Sequence, residues 1–245
     1  MADERVAIVT GSSKGIGRGI AQRLVQDGFT IVVNYLSDAA AAQETLSLVQ
    51  PRAPRARSIQ ADVATPEGAK RLIDETLTAF GRVDVLVNNV GPFLVKCVYD
   101  TEIDEWRRTI DGNLSSAFYC IKYVLPSMRA HKRGQIVNLG LLNAETTRGA
   151  PTTAAYNAAK TGVIVLTKSV ARSEARYNIR CNVVNPGFVE TYATTDADRR
   201  ELPSLVPLGS LGTAADIAEM IAFLVSDKAR YITGAVLNVH GGLWV

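Results

Sequence analysis

Tyr156 and Lys160 lie four residues apart in the run Tyr156-Asn157-Ala158-Ala159-Lys160. If that run is helical, residues i and i+4 share one face. A free phenol has a pKa of about 10, too high for efficient proton transfer near neutrality. A neighbouring ammonium favours the phenolate, so Lys160 is expected to lower the pKa of Tyr156. The pair is a candidate acid/base unit. Taken alone, Tyr-x3-Lys is equally two unrelated side chains on an amphipathic helix.

The context comes from Thr10-Gly11-Ser12-Ser13-Lys14-Gly15-Ile16-Gly17, between a strand-like run and a helix-like one. Glycines at Gly11, Gly15 and Gly17 let a pyrophosphate approach the backbone, and the free N–H groups of the helix start bind the anion. Ser13, Lys14 and Ile16 complete this candidate dinucleotide turn. NAD-selective sites place an acid at the end of the second strand to take the ribose hydroxyls. Here that position reads Asn34-Tyr35-Leu36-Ser37, with no acid before Asp38. Asn34, Tyr35 and Ser37 would therefore admit a 2′-phosphate, with Lys14 as its nearby cation, and the expected cofactor is NADP(H).

Seven aliphatic runs must position these groups: Arg5–Thr10, Thr30–Tyr35, Arg57–Asp62, Val83–Asn88, Gln135–Leu139, Ile179–Val184 and Ala235–Val239. Most are continuously apolar, as in strands buried on both faces. Helical periodicity lies between them, for example Ile16, Ile20, Leu24 and Val25. Strand alternating with helix predicts an α/β fold, a parallel doubly wound Rossmann sheet of seven strands with helices on both faces. The expectation is one catalytic domain over residues 1–245, with an irregular substrate loop at about 191–211. Long helices are expected near Glu102–Met128 and Ala154–Arg176.

Composition narrows the function. Lys plus Arg number 27 and Asp plus Glu 24, a net charge of only +3, which argues against a nucleic-acid partner. No apolar run approaches the roughly 20 residues that span a membrane. Without a signal-like leader, and with three scattered cysteines (Cys97, Cys120, Cys181), the expected location is cytoplasmic. Two histidines give little material for a metal site, and none is expected.

In the order and spacing of its motifs the chain resembles the short-chain dehydrogenase/reductase family, and most the 3-oxoacyl-acyl-carrier-protein reductase and ketoreductase branch. The matching pieces are Thr10–Gly17, Asp62-Val63, Asn88-Asn89-Val90-Gly91, Asn113, Tyr156 to Lys160, Pro186-Gly187 and Gly241-Gly242. The resemblance implies that Tyr156 protonates a carbonyl oxygen as hydride arrives from the nicotinamide. It implies that Lys160 holds the nicotinamide ribose and that Asn113 holds a proton-relaying water. Asp62 and Val63 would contact adenine, and Asn89, Val90 and Gly91 would line the ribose. Pro186, Gly187, Val189 and Thr191 would position the carboxamide. Family members are commonly homotetramers, so Trp244 in the apolar tail is expected to bury against a neighbour. The substrate would be a small-molecule ketone, a 3-oxoacyl thioester on an acyl carrier protein being one candidate. The basic run Arg129, His131, Lys132, Arg133 would meet that carrier, or simply offset a helix dipole.

One position departs from the family. The serine expected after the fifth strand is Leu141 when counted from the strand and Asn143 when counted back from Tyr156. The two counts differ because the loop carries a two-residue insertion. A leucine cannot polarise a carbonyl. Asn143 could, through its amide donors, and Thr146 or Thr147 could fold back to offer a hydroxyl. The other outcome is a catalytically impaired NADP-binding protein serving as sensor or assembly partner. An enoyl reductase of the same fold would place tyrosine seven residues before Lys160, where this chain has Thr153.

Overall fold

Each apolar run forms a strand, with ends within two residues of the sequence reading. A computed structural model describes residues 4–146 and 149–243. In chain order it contains β1 (Arg5–Val9), α1 (Gly15–Gln26), β2 (Phe29–Tyr35), α2 (Ala39–Val49), β3 (Arg57–Gln60) and α3 (Pro66–Phe80). These are followed by β4 (Val85–Asn88), α4 (Ile103–Ile110), α5 (Ser116–His131), β5 (Gly134–Leu139) and α6 (Ala154–Glu174). The chain continues with β6 (Ile179–Pro186), α7 (Asp196–Glu201), α8 (Ala214–Val225) and β7 (Val236–Val239).

All seven strands pair in parallel in the order β3-β2-β1-β4-β5-β6-β7. The continuous apolar runs are explained by two cores, one on each face of the sheet. On one face Ile20, Leu24, Ile31, Ile217 and Ile221 pack α1 and α8 against the strands. On the other, Leu72, Ile73, Ile121, Met128 and Ile136 pack α3 and α5. Winding runs outward from β1 in one direction and from β4 in the other. Ligands of open α/β sheets sit in the crevice at such a switch point, beyond the carboxyl ends of the strands.

Two long segments differ from the sequence reading. The helix expected over Glu102–Met128 is interrupted by a π-helical turn at Asp111–Ser115 and runs on to His131. Such a turn inserts an extra residue into the helix and recurs at functional sites. The stretch 191–211 is not wholly irregular, because α7 and a 3₁₀ turn at Leu202–Leu205 lie within it. Thr195 starts α7 with a reciprocal capping box to Asp198.

Asn34 was expected at the cofactor's adenosine end, but the fold uses it as a brace. It is buried, its Oδ1 accepts from the Gly11 N–H at 3.2 Å, and its Nδ2 donates to the carbonyls of Ile59 and Ala61. One side chain thereby ties the glycine turn to β3. Removing it leaves buried backbone groups without partners, which costs about 1–3 kcal/mol for each such loss. Asn34→Ala is expected to lower unfolding free energy by at least about 2 kcal/mol, read as a lower urea midpoint with an unchanged slope.

Candidate active site

The glycine turn lies at the carboxyl end of β1, and its conformation needs its glycines. Gly15 has φ +59, in the left-handed region. At Gly17 a Cβ would stand 2.5 Å from the Gly11 carbonyl oxygen, so this glycine serves the packing of turn on helix and lies outside the cleft lining. Lys14 is the N-cap of α1 and makes no side-chain cap, leaving the first-turn N–H groups to an incoming acceptor. Together with the glycine cradle, that free helix start fits a dinucleotide phosphate.

From this turn a cleft of about 720 Å³ runs to Tyr156. Gly11, Ser13, Lys14, Gly15, Ile16, Tyr35 and Ser37 line its phosphate and adenosine end. Asn89, Val90, Gly91, Tyr156, Lys160, Pro186, Gly187, Val189 and Thr191 line the remainder. Sixteen of the expected residues are therefore brought to one site. Asp62 and Val63 are not. The Asp62 carboxylate accepts from the Ala64 N–H at 3.0 Å, and Val63 is packed into the core with Ile59 and Leu86.

Counting residues along the sequence had set Asp38 aside, yet it lines the adenosine end. Its carboxylate caps α2 by accepting from the Ala41 N–H at 3.0 Å and pairs with Lys14 Nζ at 3.4 Å. The backbone hydrogen bond, helped by Lys14, holds Asp38 below the usual carboxylate range. Phe188, expected to bound the substrate chamber, lines the cleft, and so does Tyr192, which belongs to no motif.

At the other end Lys160 is fully buried and donates to the Leu139 carbonyl at 2.8 Å. Its Nζ lies 5.6 Å from the centroid of the Tyr156 ring. Phe93 packs edge-on against Tyr156, with ring centroids 4.9 Å apart. Burial pushes the Tyr156 phenol up to about 12 and the Lys160 amine down to about 8. The expected lowering of the tyrosine by its neighbour is thus not seen in the free chain. Loss of water disfavours both charged forms, and it outweighs the lysine.

Asn113 lies in the π-helical turn, outside the cleft lining. Its Nδ2 donates to the carbonyls of Pro92 and Thr109, both at 2.9 Å. Its Oδ1 is buried without a partner, and both it and Lys160 Nζ occupy the space that a side chain at Gly91 would need. An unpartnered buried acceptor beside an ammonium suits the water expected there.

The loop after β5 corrects the Asn143 alternative. Leu141 and Leu142 line the cleft, and Asn143 does not. Asn143 has φ +59 and turns the chain into a 3₁₀ turn, its carbonyl accepting from both the N–H and the hydroxyl of Thr146. That bond gives the Thr146 hydroxyl a loop partner. Thr147 lies outside the described residues, as does Trp244. Leu141 also packs against Ala144, Ile164 and Val183. Glu145 then fastens the loop to the sheet, accepting from Asn185 at 3.0 Å and Asn238 at 2.8 Å.

Elsewhere the expected carrier-binding patch is partly consumed. Arg129 makes two 2.7 Å bonds to the nearly buried Glu174. Among the described residues no group of His, Cys, Asp or Glu could hold a metal, and no helix is long and apolar enough to cross a membrane.

The family model described as enoyl-(acyl carrier protein) reductase matches residues 11–244. With its glycine turn, parallel sheet and Tyr156–Lys160 pair, the chain belongs to the short-chain dehydrogenase/reductase family. Within it the chain falls in the branch of the 3-oxoacyl-[acyl-carrier-protein] reductase FabG. The Staphylococcus aureus protein of that name is 39% identical over 242 residues, covering 98% of both chains. Glucose 1-dehydrogenase 2 of Bacillus subtilis is 35% identical over 98% of this chain and 94% of its own. A solved blue fluorescent protein from a metagenomic library, in complex with NADPH, is 35% identical with a TM-score of 0.88 and 98% coverage of each chain.

The Lys160 shift has a signed consequence for stability. Its folded pKa of about 8 lies below the unfolded value of 10.5. Between these values the unfolded chain binds more protons, so the Lys160 contribution to stability rises with pH across that window. Lys160→Met removes this titration. The stability of the parent relative to Lys160→Met is expected to increase from pH 8 to pH 10, measured by urea unfolding at each pH.

Proposed function

We propose that the protein is an NADPH-dependent reductase of a ketone, forming a secondary alcohol, with Tyr156 as the proton donor. The observation that carries this reading is one continuous cleft joining the glycine turn to half-buried Tyr156 and buried Lys160. NADPH is favoured by Lys14 at the adenosine end and by the NADPH-bound relative of the same fold. The bound cofactor would supply the hydride. Gly11 to Gly15 would hold its phosphates, and Gly91 and Lys160 its nicotinamide ribose.

The chain's own groups do the rest. With its pKa near 12, Tyr156 is protonated at neutral pH and is ready to give that proton to a carbonyl oxygen. Negative charge then develops on the phenol oxygen, and the Lys160 ammonium, anchored on Leu139, stabilises it. Proton resupply would pass by way of Asn113 and a water. The catalytic unit spans residues 1–245, with 191–211 as its substrate loop. Phe93, Leu141, Leu142 and Phe188 make an apolar wall suited to an apolar ketone or acyl chain. A 3-oxoacyl group on an acyl carrier protein fits that wall, and the FabG relative is named for that substrate. The i, i+4 spacing favours ketone over enoyl reduction. Exposed Trp106, Phe118 and Val165 on α4, α5 and α6 support a homotetramer, and three free cysteines support a cytoplasmic location.

The leucine pair supports a second reading, an NADP-binding protein with little turnover. Loss of a carbonyl-polarising donor costs about 10²–10³ in rate. The two readings separate on a panel of ketones, diketones and 3-oxoacyl thioesters. The enzyme reading expects NADPH consumption that falls at least about 10²-fold in Tyr156→Phe while cofactor binding persists. Tight binding without turnover on any member supports the second.

The corrected loop gives a further expectation. Leu141→Ser restores a hydroxyl to the wall and should raise turnover about tenfold, at a cost of about 1–3 kcal/mol for the lost packing. Asn143→Ala should leave turnover unchanged. Steady-state rates with NADPH in excess check both.

A further inference from the structure

Tyr192 carried no motif signal, yet it occupies a singular place. It follows Thr191 in the substrate loop, and its ring centroid lies 4.4 Å from Lys14 Nζ. The same ring lies against the glycine turn, since a Cβ on Gly15 would stand 3.3 Å from Tyr192 Cε1. Tyr192 is 69% exposed, so core packing does not explain where it sits. Both flanks are held. Glu190 donates its N–H to Gly212 O at 2.8 Å, and Thr191 donates its N–H to Thr194 Oγ1 at 2.8 Å. Arg199 of α7 reaches back to Glu190 at 2.7 Å.

We propose that Tyr192 is a cofactor-retaining residue. Its ring rests on Lys14 and Gly15 and so closes the substrate loop over the phosphate-binding turn. The proposal builds on the dinucleotide reading of the cleft. Lys14 is the shared post, in reach of Asp38 on the α2 side and of Tyr192 on the loop side. The ring covers part of the glycine turn, so a dinucleotide whose phosphates lie on that turn would enter and leave past this contact. An ammonium over an aromatic face is attracted by the ring quadrupole, and more strongly once a ligand excludes water. Tyr192 thereby couples cofactor residence to the position of the loop that admits substrate.

The test is NADPH release from the full-length chain, followed by stopped-flow fluorescence while NADP⁺ displaces it. Tyr192→Ala is expected to release NADPH on the order of 3- to 30-fold faster, the span of a cation–π contact from exposed to desolvated. Tyr192→Phe, which keeps the ring, should release at the parent rate. Tyr192→Leu keeps bulk without a π face and should behave like Tyr192→Ala. A cofactor-free readout accompanies it: trypsin should cut after Arg199 or Arg200 faster in Tyr192→Ala than in the parent. Equal release and equal cleavage in parent, Ala and Leu variants overturn the proposal while leaving the cofactor reading intact. A parent chain that shows no NADPH binding overturns both.

Discussion

The cleft depends on a seam between two loops that are far apart in sequence. Thr10 closes β1, and its hydroxyl accepts from the N–H groups of Asn89 and Val90 beyond β4, at 2.9 and 3.2 Å. Asn89 answers by donating its amide to the carbonyls of Thr10 and Gly11, at 3.0 and 3.2 Å. The seam lies where winding reverses, at the one place where adjacent strands send their chains to opposite faces. It fixes the glycine turn on one side and Gly91 on the other. Gly91 in turn abuts Asn113 and Lys160, so the glycine-turn end and the Tyr156–Lys160 end of the cleft share one frame.

That frame sinks the Tyr156–Lys160 end into the floor of the cleft, with Lys160 buried and Tyr156 partly so. In water the phenol and the amine would titrate near 10 and 10.5, close together. Burial drives them apart, to about 12 and about 8. The resting pair is therefore a protonated acid beside a cation whose charge is only weakly held. Negative charge arriving on the phenol oxygen reverses the balance, because attraction between opposite charges grows as the surroundings become less polar. The pair is thus poised by the same loss of water that makes each charged form costly alone.

Local features were legible in the sequence. The seven strands, the glycine turn and the i, i+4 placement of Tyr156 and Lys160 on one helix are patterns of near neighbours, and each is present in the structure. Features set by distant packing were not. Asn34 reads as a cofactor contact from its place at the end of β2, and only β3 beside it reveals a brace. The resemblance assigns Val63 to adenine, and nothing in the local sequence shows that its side chain packs in the core with Ile59 and Leu86. The π-helical turn slips the helical phase by one residue, about 100°, and a single slip inside a long apolar-rich helix is easily read as one continuous helix. The direction of the Tyr156 shift depends on burial, which spacing alone does not contain. Tyr192 belongs to no motif and becomes visible only when its loop meets Lys14.

The leucine at the serine position is part of a built wall. Leu141 has packing partners in Ala144, Ile164 and Val183, and the loop behind it is tied to β6 and β7 through Glu145. A collapsed or vestigial loop would not retain a carboxylate held by two amide donors from adjacent strands. The loop is therefore anchored through Glu145, and it presents Leu141 and Leu142 to the cleft that Tyr156 also lines. Under the proposed ketone reduction, polarisation of the substrate carbonyl would fall chiefly to the single phenol. Such a site would favour carbonyls that are already electron-poor, because those substrates need least help from a second donor.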